Sequence, residues 1–164
     1  TAYVGSENKT PNSDICYRAD KKLLLHPTFR IFGGLKIHSA MKHIIASPAA
    51  PAAVGPYSQA IEANGTLYLS GQLPIDGATG AMPESIEAQT RQSLTNIGHI
   101  LHEAGYDFTH VVKTTVLLQH ITDFAAMNKV YAEFFTAEMP ARICFEVAAL
   151  PKGALVEIDA IAVK

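Results

Sequence analysis

The sequence predicts an α+β domain, a single mixed β-sheet with two α-helices covering one face. Three observations carry that prediction. Asn64-Gly65 sits between two strand-like runs, two amphipathic stretches have helix-capping residues at their ends, and runs of β-branched or alternating residues follow each of them. The resulting order is β-β-α-β-α-β-β, and two helices set among strands in this way most simply cover one face of one sheet. The 164 residues suit one domain, and 48% hydrophobic against 17% charged residues is enough to build a packed core.

In the segment YSQAIEANGTLYLSGQ (57–72), Asn-Gly suits a two-residue type I′ turn, because both central residues need φ > 0. The register then pairs Ala63 with Thr66, Gln59 with Ser70 and Tyr57 with Gln72. Opposed residues point to the same side of a sheet, so Tyr57, Gln59, Ser70 and Gln72 share one face while Ala60, Leu67 and Leu69 supply the core. A further short strand fits near His43–Ala46.

After turn signals at Asp76-Gly77 and Gly80, Ile86, Leu94, Ile97, Leu101 and Ala104 recur at mostly three- and four-residue steps. They predict a helix from about Ser85, its cap, to Ala104, with Gly105 closing it. VVKTTVLLQ (111–119) reads as a strand. Thr122 is the expected cap of a second helix over Asp123–Phe135, whose stripe is Phe124, Met127, Val130, Tyr131 and Phe134. Strands over 142–150 and 154–163, joined by Pro151-Lys152-Gly153, complete the pattern as an expected hairpin. In it Val156, Ile158, Ala160 and Ala162 share a side with Ile143, Phe145, Val147 and Ala149. Arg142, Cys144 and Glu146 then share the other with Leu155, Glu157, Asp159, Ile161 and Val163. That mixed apolar and charged face suits contact with other subunits.

Residues 1–40 show no sustained period. Lys21, Lys22, Arg30 and Lys36 make the stretch up to Ala40 basic, with no acid after Asp20. It reads as sequence left from cloning or upstream translation with Met41 the natural start, as an organelle-targeting segment, or as an extension that packs on the core. Glu7, Asp14 and Asp20 weigh against a transit peptide and favour the first reading. The net charge of −2 offers no electrostatic footprint for nucleic acid or an anionic membrane, and no apolar run approaches the roughly 20 residues of a membrane span. Cys16 and Cys144 are too few for a disulfide framework, which points to a reducing compartment, the cytoplasm by default or an organelle if residues 1–40 are a targeting segment.

GPYSQA (55–60), SGQ (70–72), MNKVYAEFF (127–135) and PARICFEVAALPKGALVEIDAIAV (140–163) resemble the Rid/YjgF family. The resemblance spans about residues 41–164, and its carboxy-terminal block is the most specific part. It implies a chorismate-mutase-like fold, a homotrimer, and cofactor-free hydrolysis of 2-iminopropanoate and 2-iminobutanoate to 2-keto acids and ammonia. Arg142 resembles the arginine that clamps the substrate carboxylate, and Glu157 looks like the acid that holds and activates water. Cys144 is similar to the residue whose backbone carbonyl holds ligand or water, and Tyr57 to the aromatic that closes the pocket. Ser70 and Gly71 match its wall, and Asn128 matches an asparagine at its rim. The short link from Phe135 to Pro140 departs from some members and bears on pocket size.

The chemistry asks for these residue types independently. A guanidinium matches a carboxylate with two parallel hydrogen bonds, and an iminium carbon is already electrophilic, so no metal is required. One carboxylate then suffices to place a water and move protons. Each residue also has an ordinary reading: a surface ion pair for Arg142, an edge charge for Glu157, a bulge for Ser70-Gly71, an inert thiol for Cys144, turn packing for Tyr57, an exposed helix position for Asn128. His99 and His102, three apart, read as a solvated helix face, and Ser70 has no recognisable base to make it a nucleophile. Two other functions compete: a non-catalytic, sensor or chaperone-like trimer binding small carboxylates, and an endoribonuclease or translation inhibitor. Glu157 beside an intact arginine strand favours the enzyme, and the acidic balance counts against the ribonuclease. In the expected hairpin Glu157 lies near Ala148, so Arg142 is six residues, about 20 Å, away at roughly 3.3 Å per residue. One chain's pair therefore cannot serve one small substrate, and the site is expected to be shared between subunits.

Overall fold

The computed structural model describes residues 42–164. The readings of residues 1–40, and of Met41 as a start, lie outside these. Six strands form one sheet: β1 (His43–Ile45), β2 (Ala60–Ala63), β3 (Thr66–Gln72), β4 (Val111–Leu118), β5 (Ala141–Glu146) and β6 (Val156–Val163). Helix α1 (Ile86–Glu103) follows β3 and α2 (Phe124–Phe134) follows β4. The sheet order is β1-β2-β3-β6-β4-β5, mixed because β5 runs parallel to β4.

The local signals act as expected at the Asn-Gly turn and at α1. Asn64 and Gly65 have φ of 52° and 73°, and Ala63 faces Thr66. Ser85 Oγ accepts from Ala88 N at 3.2 Å, and Gly105 takes φ +73° just beyond the helix. Helix α2 starts differently. Ile121–Asp123 form a 3-10 turn, Thr122 lies inside it, and Asp123 occupies the cap position without a side-chain hydrogen bond. The 2–3 hairpin is also shorter than the sequence suggests. β2 begins at Ala60, so Tyr57 does not pair with Gln72, although Ser70 N still donates to Gln59 O at 3.0 Å.

The largest correction concerns the carboxy-terminal strands. β5 and β6 do not form a hairpin. Helix α2 carries the chain from β4 to a parallel neighbour, as parallel pairing requires, and the turn Pro151–Gly153 then returns it to the sheet centre, where β6 lies between β3 and β4. Glu157 consequently faces Leu117 of β4, not Ala148. Across β4, Thr114 joins Arg142 to Ala160 on one face, while Leu117 joins Phe145 to Glu157 on the other. The β5 faces are thus the reverse of the hairpin expectation. Arg142 and Cys144 lie on the helix side, Ile143 and Phe145 on the open side with Glu157 and Asp159.

The core sits between the sheet and the helices. Val156, Ile158, Ala160 and Ala162 are fully or almost fully buried against Leu94, Ile97, Ile100 and Leu101 of α1, the small alanines letting the helix approach closely. The opposite face leaves Tyr68, Ile143, Phe145 and Val163 more than 40% exposed. Among the described residues no helix is long and apolar enough to cross a membrane.

Candidate active site

Two clusters hold the candidate residues, at different places on the sheet. The first surrounds Glu157. Between the pairs Leu69–Ala160 and Gln72–Ile158, the two residues Ser70 and Gly71 stand against Asp159 alone, so β3 carries a bulge there. The Ser70 hydroxyl donates to Ser58 O at 2.7 Å, which ties the bulge to the segment after Tyr57 and occupies the hydroxyl. Gly71 leaves its Cα bare beneath the Glu157 carboxylate: a Cβ there would overlap Glu157 Oε1 and lie 2.9 Å from Cδ. Burial pushes the Glu157 carboxyl above the usual carboxylate range, and the Asp159 charge on the same face adds to the shift. Asp159 is itself engaged, its Oδ1 accepting from Thr115 N at 2.9 Å. Tyr57, Ser70, Gly71 and Glu157 together line a cavity of about 720 Å³ that continues past Leu73 and Ile75.

The second cluster surrounds Arg142 on the edge strand β5. Its guanidinium carbon lies 4.6 Å from the Tyr131 ring centroid and 5.5 Å from that of Phe124, both on α2. Such stacking orients the planar group while its edge stays available for hydrogen bonding. Tyr131 is held in turn, its hydroxyl sharing a buried 2.8 Å hydrogen bond with Thr114 Oγ1. Among the described residues no carboxylate lies within ion-pair distance of Arg142. Asn128, four residues after Phe124 and three before Tyr131, belongs to the same helix face. Cys144 follows two residues along β5, and burial pushes its thiol up despite the opposing Arg142 charge, which suits an inert thiol.

The structure therefore brings Tyr57, Ser70, Gly71 and Glu157 together, and separately Arg142, Cys144 and Asn128. Within one chain the two groups do not meet. Arg142 and Glu157 project from opposite faces. Their Cα atoms are about 14 Å apart, from two strand spacings of about 4.8 Å and three residues at about 3.3 Å each. Counting apolar positions misses the buried amides of α1. Gln89 and Asn96 lie on the inner stripe of α1, and a polar residue in phase with such a stripe is the available signal of a buried hydrogen-bond anchor.

A family model described as Endoribonuclease L-PSP matches residues 47–164. The 2-iminobutanoate/2-iminopropanoate deaminase of Capra hircus is 54% identical over 127 residues, which cover 77% of this chain and 93% of that relative. The crystal structure of the yjgF gene product of E. coli aligns with a TM-score of 0.73 at 45% identity, covering 74% of this chain and 98% of that one. E. coli TdcF with bound serine aligns with the same TM-score at 40% identity and the same coverage. With β2 to β6, both helices and both clusters inside the matched region, this chain belongs to the Rid/YjgF family.

Proposed function

We propose that residues 41–164 form a homotrimeric 2-imino acid deaminase whose sites are built from two subunits. Each site joins Arg142, Cys144 and Asn128 of one chain to Tyr57, Ser70, Gly71 and Glu157 of its neighbour. The observation that carries this reading is the separation of Arg142 from Glu157, because a three- or four-carbon imino acid cannot reach from one face of the sheet to the other. The exposed Tyr68, Ile143, Phe145 and Val163 on the open face supply apolar surface for assembly. The relatives named as deaminases of 2-iminobutanoate and 2-iminopropanoate support the substrate class, and the serine-bound relative supports recognition of a small carboxylate.

In this reading Arg142 grips the substrate carboxylate with its planar fork, oriented by the Tyr131 ring. Glu157 accepts a hydrogen bond from water and takes its proton as the oxygen attacks the imine carbon. The raised proton affinity of Glu157 suits it to hold that proton and pass it to the nitrogen. The carbinolamine hydroxyl then gives its proton to the Glu157 carboxylate as its oxygen forms the carbonyl, and breakage of the C–N bond releases ammonia and leaves the 2-keto acid. The iminium carbon needs no further activation, so the mechanism uses no metal or organic cofactor. The family model's description raises a nucleolytic reading, but a chain with net charge −2 has little to offer a polyphosphate. The reading places the protein in the cytoplasm, or in an organelle if residues 1–40 direct it there.

Complementation tests the shared site. Inactive Arg142→Ala and Glu157→Ala proteins are mixed under conditions of subunit exchange, and imine hydrolysis is followed in a coupled threonine dehydratase assay. Activity returns, because some interfaces pair an intact Arg142 with an intact Glu157. Exchange proven by mass spectrometry with no recovered activity overturns the model.

A further inference from the structure

Past Glu157 the cavity runs between two loops, each tied down by one buried amide side chain. Asn96 of α1 is completely buried. Its Nδ2 donates to Leu73 O at 3.0 Å and Ile75 O at 2.8 Å, and its Oδ1 accepts from Gln92 Nε2 at 3.0 Å. Both donors and the acceptor are therefore used, and the 73–75 segment is held at two carbonyls by one side chain. On the other side Gln59 accepts from Ser47 N at 2.6 Å and donates to Pro51 O at 2.7 Å. The two loops meet at Gly77, where an added Cβ would lie 2.7 Å from Ala49 O and 3.0 Å from Ala50 C. Leu73 and Ile75 on one wall and Val54 on the other thus line a slot whose width is set by buried hydrogen bonds and a close backbone approach.

We propose that Asn96 is a positioning residue for substrate choice: by holding the 73–75 wall it fixes the size of apolar side chain that the 2-imino acid carries. The inference rests on the deaminase reading above. The imine and carboxylate, taken by Glu157 and Arg142, are common to every 2-imino acid, so discrimination falls on the wall that meets the side chain. That wall is apolar, and a hydrophobic pocket discriminates by size.

The test compares 2-imino acids generated in situ from alanine, leucine and phenylalanine by an L-amino-acid oxidase, with the full-length protein. Asn96→Asp is nearly isosteric and keeps the acceptor for Gln92, but sets a carboxylate oxygen against Leu73 O and Ile75 O and so shifts the wall from its place. Gly77→Ala, at an exposed position, pushes the 76–77 turn away from Ala49 and Ala50 by contact alone. In both variants the ratio of kcat/KM for the larger imines to that for 2-iminopropanoate changes by about tenfold or more, the range that pocket size commands. A purely structural role lowers all substrates alike and leaves the ratio still. A ratio within about twofold of the wild type in the folded variants overturns the inference while leaving the deaminase reading intact. If Asn96→Asp does not fold, Gly77→Ala decides by the same criterion. A wild-type protein that hydrolyses none of these imines overturns both.

Discussion

Gly71→Ala isolates the contact on which the placement of Glu157 depends. Gly71 does not occupy the left-handed region, so alanine is conformationally acceptable there. The obstacle is the neighbour: the new methyl would overlap Glu157 Oε1 and lie 2.9 Å from Cδ and 3.1 Å from Cγ. Ordinary carbon–carbon contact is about 3.5–4.0 Å, so the carboxylate must retreat by roughly 1 Å. A displacement of about 1 Å at a reacting group costs on the order of 100-fold, or about 2.7 kcal/mol of barrier. The loss falls on kcat, because in the proposed site Arg142 still holds the carboxylate and KM changes little. The position is only partly buried, and relief of glycine's unfolded-state entropy is worth about 0.4–1 kcal/mol, so thermal stability stays close to that of the wild type. The assay is 2-iminobutanoate hydrolysis behind a threonine dehydratase, paired with a melting curve. In a Glu157→Gln background the same substitution costs less than about threefold, because the group it displaces is already disabled. A Gly71→Ala enzyme with normal kcat, or an undiminished further loss in the Glu157→Gln background, refutes the reasoning.

The Glu157 carboxyl is raised by burial and by Asp159, so the folded protein holds this proton more tightly than the unfolded chain. The associated stability is present below the unfolded value of about 4.3 and is lost as pH rises through the folded one. Melting curves between about pH 4 and 8 should accordingly show Glu157→Gln gaining on the wild type as pH rises, and a constant difference contradicts the assignment. The acid limb of the pH–rate profile should lie above the ordinary glutamate range and move down in Asp159→Asn, and an unmoved limb removes Asp159 from the cause. Arg142→Lys keeps the charge but loses the fork, so kcat/KM falls by about 10- to 100-fold, equivalent to a charge-assisted hydrogen bond of roughly 1.5–3 kcal/mol, while circular dichroism is unchanged. Near-normal kinetics remove Arg142 from the site. Excess chelator leaves the hydrolysis rate unaltered, and a loss reversed by added metal ends the cofactor-free mechanism.

Much of this protein is written in local chemistry. Asn64-Gly65 determines the tight hairpin because few other pairs accept two positive φ values in succession, and Ser85 with Gly105 brackets α1 because helix ends need side-chain or glycine solutions. At Arg142 and Glu157 it is the resemblance to the Rid/YjgF family that implies carboxylate recognition and proton transfer, since the residue types alone also suit a surface ion pair and an edge charge. What local chemistry could not decide is which strand lies beside which. The alternation in 142–150 and 154–163 is equally compatible with a hairpin and with the observed order, in which α2 delivers β5 parallel to β4 and β6 enters the sheet centre. Alternation has a period of two and assigns faces only relative to each strand, so it cannot say which face of β5 joins which face of β6. That choice is made by burial, since Val156, Ile158, Ala160 and Ala162 gain most where sheet and α1 enclose them together. The same applies to Gly71 and Asn96, whose partners lie 86 and 21–23 residues away in the chain and meet them only once the sheet has closed.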